Sequence, residues 1–281
     1  MNEPDMNPEL SLPSFTRPPL QEVAAGVQFA PLGVKSVDVA ALHTLLAEEY
    51  PNWVDAPPLP PSFETFGTVP VGTFPVPPML LSGTPPWLPR AWFISADDEH
   101  IVQAQPDRLI VNWRRQPQGG HYPRYAEVRR RFRAAHDAVE RLADKRGLSR
   151  PLANQCDLSY FNVVRVPEGA DWPDMDRLLR GMRLNPGPGW QASLSDAQVS
   201  IRKVLRHERD VPFARLSVDC LPVLDFARNK SWALNIVVRG QPQSGSFDSV
   251  LAFLDAAHLE IVSCFAAITT EAMHMEWEKQ T

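Results

Sequence analysis

Twelve of the chain's 29 prolines fall between Pro51 and Pro89, and a segment without a backbone donor at so many positions cannot be a helix or a central strand. It is expected to run extended across a surface. Its interleaved aromatics, Trp53, Phe63, Phe66, Phe74 and Trp87, should hold it down as a belt, because a free linker has no use for that much apolar area.

The stretches on either side of the belt are periodic. Residues 1–14 are polar and aperiodic and read as a tail. Glu22–Ala30 then alternates as a strand, with Val23, Ala25, Val27 and Phe29 on one face and a bulge expected at Gly26. Val37, Ala41, Leu42, Leu45 and Leu46 recur at helical spacing until Pro51 stops the run. After the belt, RAWFIS, HIVQAQ and LIVNWRR form three short strands joined by Asp-rich turns, an antiparallel meander. Tyr125–Arg146 carries Tyr125, Val128, Phe132, Ala135, Val139 and Leu142 on one stripe, with Gly147 at the helix C-cap. Gln155–Val166 is a strand.

The turn-rich stretch 171–189 divides an N-terminal half, 15–170, from a C-terminal half, 190–281. In the second half Gln198–His207, Ala214–Leu224 and Trp232–Arg239 read as strands. Phe247–Ile268 is a long helix, and Thr269 and Thr270 offer the cap for a last turn through Trp277. The fold class is therefore α+β, as two antiparallel sheet layers or one large mixed sheet, each half covered by a long amphipathic helix. No residue-level repeat is read between the halves.

Composition narrows the function classes. With 44% hydrophobic and 22% charged residues the chain is globular, and a net charge of -5 repels nucleic acid and anionic membranes except through a local patch. Cys156, Cys220 and Cys264 are too few and too separated for a disulfide framework or a paired metal site. The N-terminus has no secretory pattern and no apolar run nears the ~18 residues of a membrane span, so a cytoplasmic protein without membrane contact is expected. Phosphate-loop, dinucleotide, zinc-protease and nucleophile-elbow motifs are absent, and the seven histidines stand singly. No cofactor and no metal are expected. His258 beside Glu260, and Glu271 beside His274, could act as acid/base pairs, although single histidines on helices more often pack or face solvent.

One charge anomaly remains. Residues 124–150 hold eight arginines and one lysine against four acids, a local charge of +5. Arg124, Arg129, Arg130, Arg131 and Arg133 could meet an acidic protein partner or track a phosphate backbone. The plainer reading is a solvated face with pairs such as Glu127–Arg131 and Asp137–Arg141. Trp113 and Arg114, ending a strand, could stack on the same partner, though a Trp packed under the next helix is the commoner use. A separate possibility is a pocket between sheet and C-terminal helix built from Asn112, Arg114, His258 and His274, serving an enzyme or a small-molecule sensor.

Four blocks carry a family resemblance: PPLQEVAAGVQFAPL (18–32), QAQPDRLIVNWRR with YPRY after it (103–125), QCDLSYFNVV (155–164) and FLDAAHLEIVSCFAAITTEAMHMEW (253–277). Together they resemble a sporadically distributed bacterial family of uncharacterised proteins. That resemblance brings no activity and no catalytic residues. It implies carriage on mobile or defence-associated loci, and hence a non-catalytic, antitoxin-like or accessory protein that binds a partner encoded nearby.

Overall fold

The structure, a computed structural model, describes residues 12–66, 89–117, 119–183, 194–207 and 210–280. In chain order the elements are β1 (Ser14–Phe15), β2 (Leu20–Phe29), α1 (Ser36–Leu46), β3 (Asn52–Ala56), β4 (Arg90–Ile94), β5 (His100–Gln105), β6 (Arg108–Arg114) and α2 (Tyr125–Arg146). They continue with β7 (Ala153–Arg165), β8 (Val199–Arg206), β9 (Pro212–Leu224), β10 (Lys230–Gly240), α3 (Phe247–Ile268), α4 (Glu271–Glu276) and β11 (Lys279–Gln280). The chain is α+β: β1 pairs with β11, and the other nine strands form one sheet in the order β3-β4-β5-β6-β2-β7-β10-β9-β8. Every pairing in it is antiparallel, so the mixed sheet entertained from sequence is replaced by a wholly antiparallel one.

Strand alternation gives the sheet two unlike faces. Val23, Ala25, Val27 and Phe29 of β2, with Leu109, Val111 and Trp113 of β6, are buried toward the helices. The opposite face carries Gln28, Gln103, Asn112, Gln155 and Arg215, all buried and polar. Helix α2 packs on β6 and β2, and α3 on β7 and β10, while α1 leans on α2 and β4.

The strand order repeats outward from the central β2–β7 pair. On each side the strand earliest in the chain, β2 or β7, lies at the centre, the latest, β6 or β10, lies next to it, and the intervening strands follow in reverse. Each series ends in a helix of 22 residues. Laid against one another from their first residues, α2 and α3 match at Tyr125/Phe247, Val128/Val250, Val139/Ile261 and, identically, at Ala134-Ala135-His136 and Ala256-Ala257-His258. The contacts are reciprocal: His136 stacks on Phe247 at 3.9 Å and His258 on Tyr125 at 4.2 Å. A repeat that linear reading misses is thus exposed by the topology.

Several local expectations change. The Pro-rich belt does contain a strand, β3, but at the sheet edge, where missing donors cost least. From β3 to Phe66 hydrogen bonds hold the chain to the sheet, while the Phe63 ring is 56% exposed. The backbone N–H groups of Leu59, Ser62 and Glu64 donate to the side-chain oxygens of Gln105, Gln28 and Gln155 on the polar face. Phe74 and Trp87 lie outside the described residues. Gly26 marks no bulge; the shifts fall at either end of β2. A Cβ there would come within 2.9 Å of Asp157 Oδ1, so glycine admits that carboxylate.

The buried row of α1 is Asp38, Leu42 and Leu46, not one including Val37 and Leu45, which are exposed. Asp38 can turn inward because its carboxylate accepts the Lys35 N–H and pairs with Arg146. The turn-rich stretch after β7 buries Met175, Leu178 and Leu179 and hydrogen-bonds to the end of α3 through Arg180 and Ile268. Finally, α3 is long and apolar enough by length and composition to cross a bilayer. Asp255, His258 and Glu260 interrupt it, so it contains no unbroken apolar run of spanning length. Here its Val250, Leu251, Leu254, Ala257 and Ile261 are buried in the core.

Candidate functional site

Strand β7 sends Cys156, Leu158, Tyr160, Asn162 and Val164 toward the helices. Two of these are polar, and a hydroxyl or amide in a core row needs partners. Tyr160 Oη lies 2.8 Å from His258 Nδ1 on α3 and 3.1 Å from the Tyr122 hydroxyl ahead of α2. The amide of Asn162 donates to the Leu234 carbonyl on β10 at 3.1 Å. The result is a hydrogen-bonded chain, Tyr122–Tyr160–His258, running from the start of one helix to the middle of the other.

The imidazole of His258 is held by a second set of contacts. Its ring lies parallel to that of Tyr125, 9° between planes. The Tyr125 hydroxyl donates to Asp255 Oδ1 at 2.8 Å, and Arg129 grips both oxygens of Asp255 at 2.8 and 3.0 Å. Such a bidentate pair fixes orientation as well as charge. Burial lowers the His258 pKa to about 4, with Asp255 opposing the shift, so the ring is neutral at pH 7. Burial raises Tyr122 to about 12 and Tyr160 well above its ordinary value. The relay is therefore uncharged, and its direction follows the tautomer of His258: Nδ1 accepts from Tyr160 while Nε2 donates, or the reverse.

This relay borders a cavity of about 330 Å³ enclosed by α3, β7, β10, the start of α2 and the segment before β2. Phe15, Leu20, Ile236, Ile261, Val262 and Phe265 supply apolar walls, and Tyr122, Tyr160, Asn162, His258 and Arg124 supply the polar points. A mostly apolar concavity with a few converging polar groups is the usual form of a small-molecule site. The position related by the helix repeat is built differently. His136 meets Phe247, Arg133 stands 5.4 Å from that ring, and the helix-facing residues of β2 are all apolar. Its Nδ1 has no hydrogen-bond partner among the described residues, with Glu140 at 3.9 Å.

The residues singled out from sequence do not converge. Asn112 is 3% exposed on the far face of the sheet, bonded to Gln103 and Glu22. Arg114 shares that face and meets Asp98. His274 is buried against Phe15 and bonded to Thr269, one layer behind the cavity wall. Only His258 of that set lines the pocket.

Trp113, expected at a contact surface, is fully buried against Tyr122 and can meet no partner. Much of the basic patch is paired within the fold: Arg129 to Asp255, and Arg130 and Arg131 to Glu127 and Glu49. Arg124 is at the cavity mouth. Among the described residues one trio of potential metal ligands lies close together, His136, Asp137 and Glu140, but its two carboxylates are exposed and it has no further feature of a site.

Tyr122, Tyr125, Tyr160 and Asp255 were missed. The available signal was Tyr160 and Asn162, polar residues recurring at period two in an otherwise apolar row. No protein-family model matches the chain, and no curated protein matches it by sequence.

Proposed function

We propose that the protein binds a small, mostly apolar molecule between its sheet and α3, and that the Tyr122–Tyr160–His258 relay hydrogen-bonds the polar end of that molecule. One observation carries this: the cavity of about 330 Å³ is lined by apolar side chains except where the relay, Asn162 and Arg124 meet it. In this reading the two long helices roof the two halves of the sheet, and the ligand sits where those halves join. A neutral relay that can run in either direction suits recognition of a hydroxyl or a carbonyl. It supports a sensor more than an enzyme, because the groups around it are tied to one another.

The family resemblance would make this sensor an accessory component of a defence or toxin–antitoxin locus, reporting its ligand to a protein partner in the cytoplasm. The internal pairing of Arg129, Arg130 and Arg131 leaves the basic helix less suited to nucleic acid. A thermal-shift screen of small phenols, alcohols and acids tests the pocket. A ligand at one hundred times its Kd should add about 2.7 kcal/mol of stability. The gain should vanish in Ile261→Trp, which fills the cavity, and persist in His136→Gln. Hits that ignore Ile261→Trp would refute the pocket.

A further inference from the structure

A second cavity of about 260 Å³ adjoins the first, and the two share Pro18, Tyr122 and Arg124 in their walls. Its character is the opposite. Arg17, Arg115, Arg124 and His121 line it, and among the described residues no carboxylate does. A cluster of cations in a chain of net charge -5 is a local feature with a local cause.

The acids nearby leave that cluster positive. Glu278 holds Arg17 at 3.1 Å, and Glu99, beside Gly120, acts on Arg115 through space. Arg115 spends its donors on the carbonyls of Leu20 and Pro18, which fixes it in place without neutralising it. Arg124 has no carboxylate partner among the described residues, and its guanidinium makes a single long contact, 3.4 Å, to the carbonyl of Phe15. Its backbone, at φ 72 and ψ 160, occupies a region that is essentially reserved for glycine. Strain of this kind collects at ligand clamps, where a side chain must be aimed. The side chain so aimed stands on the boundary between the two cavities.

Building on the pocket reading above, we propose that the two cavities form one bipartite site for an amphipathic anion. The apolar body of the ligand lies against Phe265, Ile261 and Ile236, and its acidic head is gripped by Arg124 with Arg115 and Arg17 behind it. The guanidinium fork suits either a carboxylate or a phosphate head, the chemistry the two share. Tyr122, whose hydroxyl starts the relay, is the partition at which head and body meet.

The test is calorimetric titration of the full chain with three probes of equal apolar length: undecanoate, decyl phosphate and decanol. Both acids, or one of them, should bind at least tenfold more tightly than the alcohol, and the tighter acid identifies the head. Arg124→Gln should erase that preference, whereas Ile261→Trp should abolish binding of all three probes. Arg124→Gly, which also relieves the backbone, should erase the preference in a protein that melts no lower than the parent. Equal binding of acids and alcohol, or an acid preference that survives in both Arg124 variants, would overturn the bipartite site and leave the apolar pocket standing. Failure of all three probes to bind would overturn both.

Discussion

Acidification from pH 7.5 to pH 5.0 should destabilise this protein through its buried histidines, and His136 allows the effect to be isolated. The ring is 2% exposed, stacked on Phe247, and outside the cavity. Burial, with the charge of Arg133 adding to it, lowers its pKa from 6.5 to about 4, and Glu140 at 3.9 Å is too far for a hydrogen bond to restore it. Between those two values the unfolded chain binds more protons than the folded one, so stability is fully present above pH 6.5 and falls as pH drops toward 4. A displacement of that size is worth about 3 kcal/mol, of which about 2 kcal/mol is lost by pH 5. Urea melts of the parent and of His136→Leu at pH 7.5 and pH 5.0 measure it. Whatever the substitution costs at pH 7.5, the variant should lose about 2 kcal/mol less than the parent on acidification. Comparing slopes also removes the contributions of Glu22 and Asp157, whose pKa values burial raises and whose effect has the opposite sign. Identical pH dependence in the two proteins, or a directly titrated His136 near 6.5, would refute the reasoning.

Two further substitutions report on the relay and the sheet. Tyr160→Phe strands the Tyr122 hydroxyl and His258 Nδ1, which should cost about 1–3 kcal/mol and lower Tm by roughly 2–4 °C for each kcal/mol; an unchanged Tm with an unchanged His258 nitrogen resonance would mean the relay is not formed. Gly240→Ala puts a Cβ against the Phe213 carbonyl and 2.6 Å from Ala214 Cα, backbone atoms that cannot yield without parting β9 from β10. It should leave little folded protein in an expression trial, and a soluble variant with parental Tm would contradict that register.

How much of this was legible beforehand follows from the range of each signal. The stripe of α2 and its Gly147 cap are local, and both stand as read, with Gly147 at φ 63. Strand alternation was equally local, and β4 to β10 fall close to the predicted runs. The pairing of β2 with β7 is not local: 153 to 165 meets 20 to 29 across the whole of α2, and nothing in either run names its mate. The helix repeat was present in the letters, but four identities in 22 positions gain meaning only once the strand order places the helices in equivalent settings. For the site, His258 is legible from its own chemistry, whereas Tyr160, Tyr122 and Asp255 matter through contacts across 98, 38 and 130 residues of sequence. The charge excess of residues 124–150 misled for the same reason, since Asp255, Glu49 and Asp38, which answer much of it, come from distant segments.

The central β2–β7 seam has a consequence for any attempt to cut the chain. Severed in the turn between α2 and β7, each fragment would carry its innermost strand as a raw border, a ladder of amide and carbonyl groups with nothing opposite. Such borders do not stay bare in water: the fragments would reassemble, or each would pair with its own kind in imitation of the missing half.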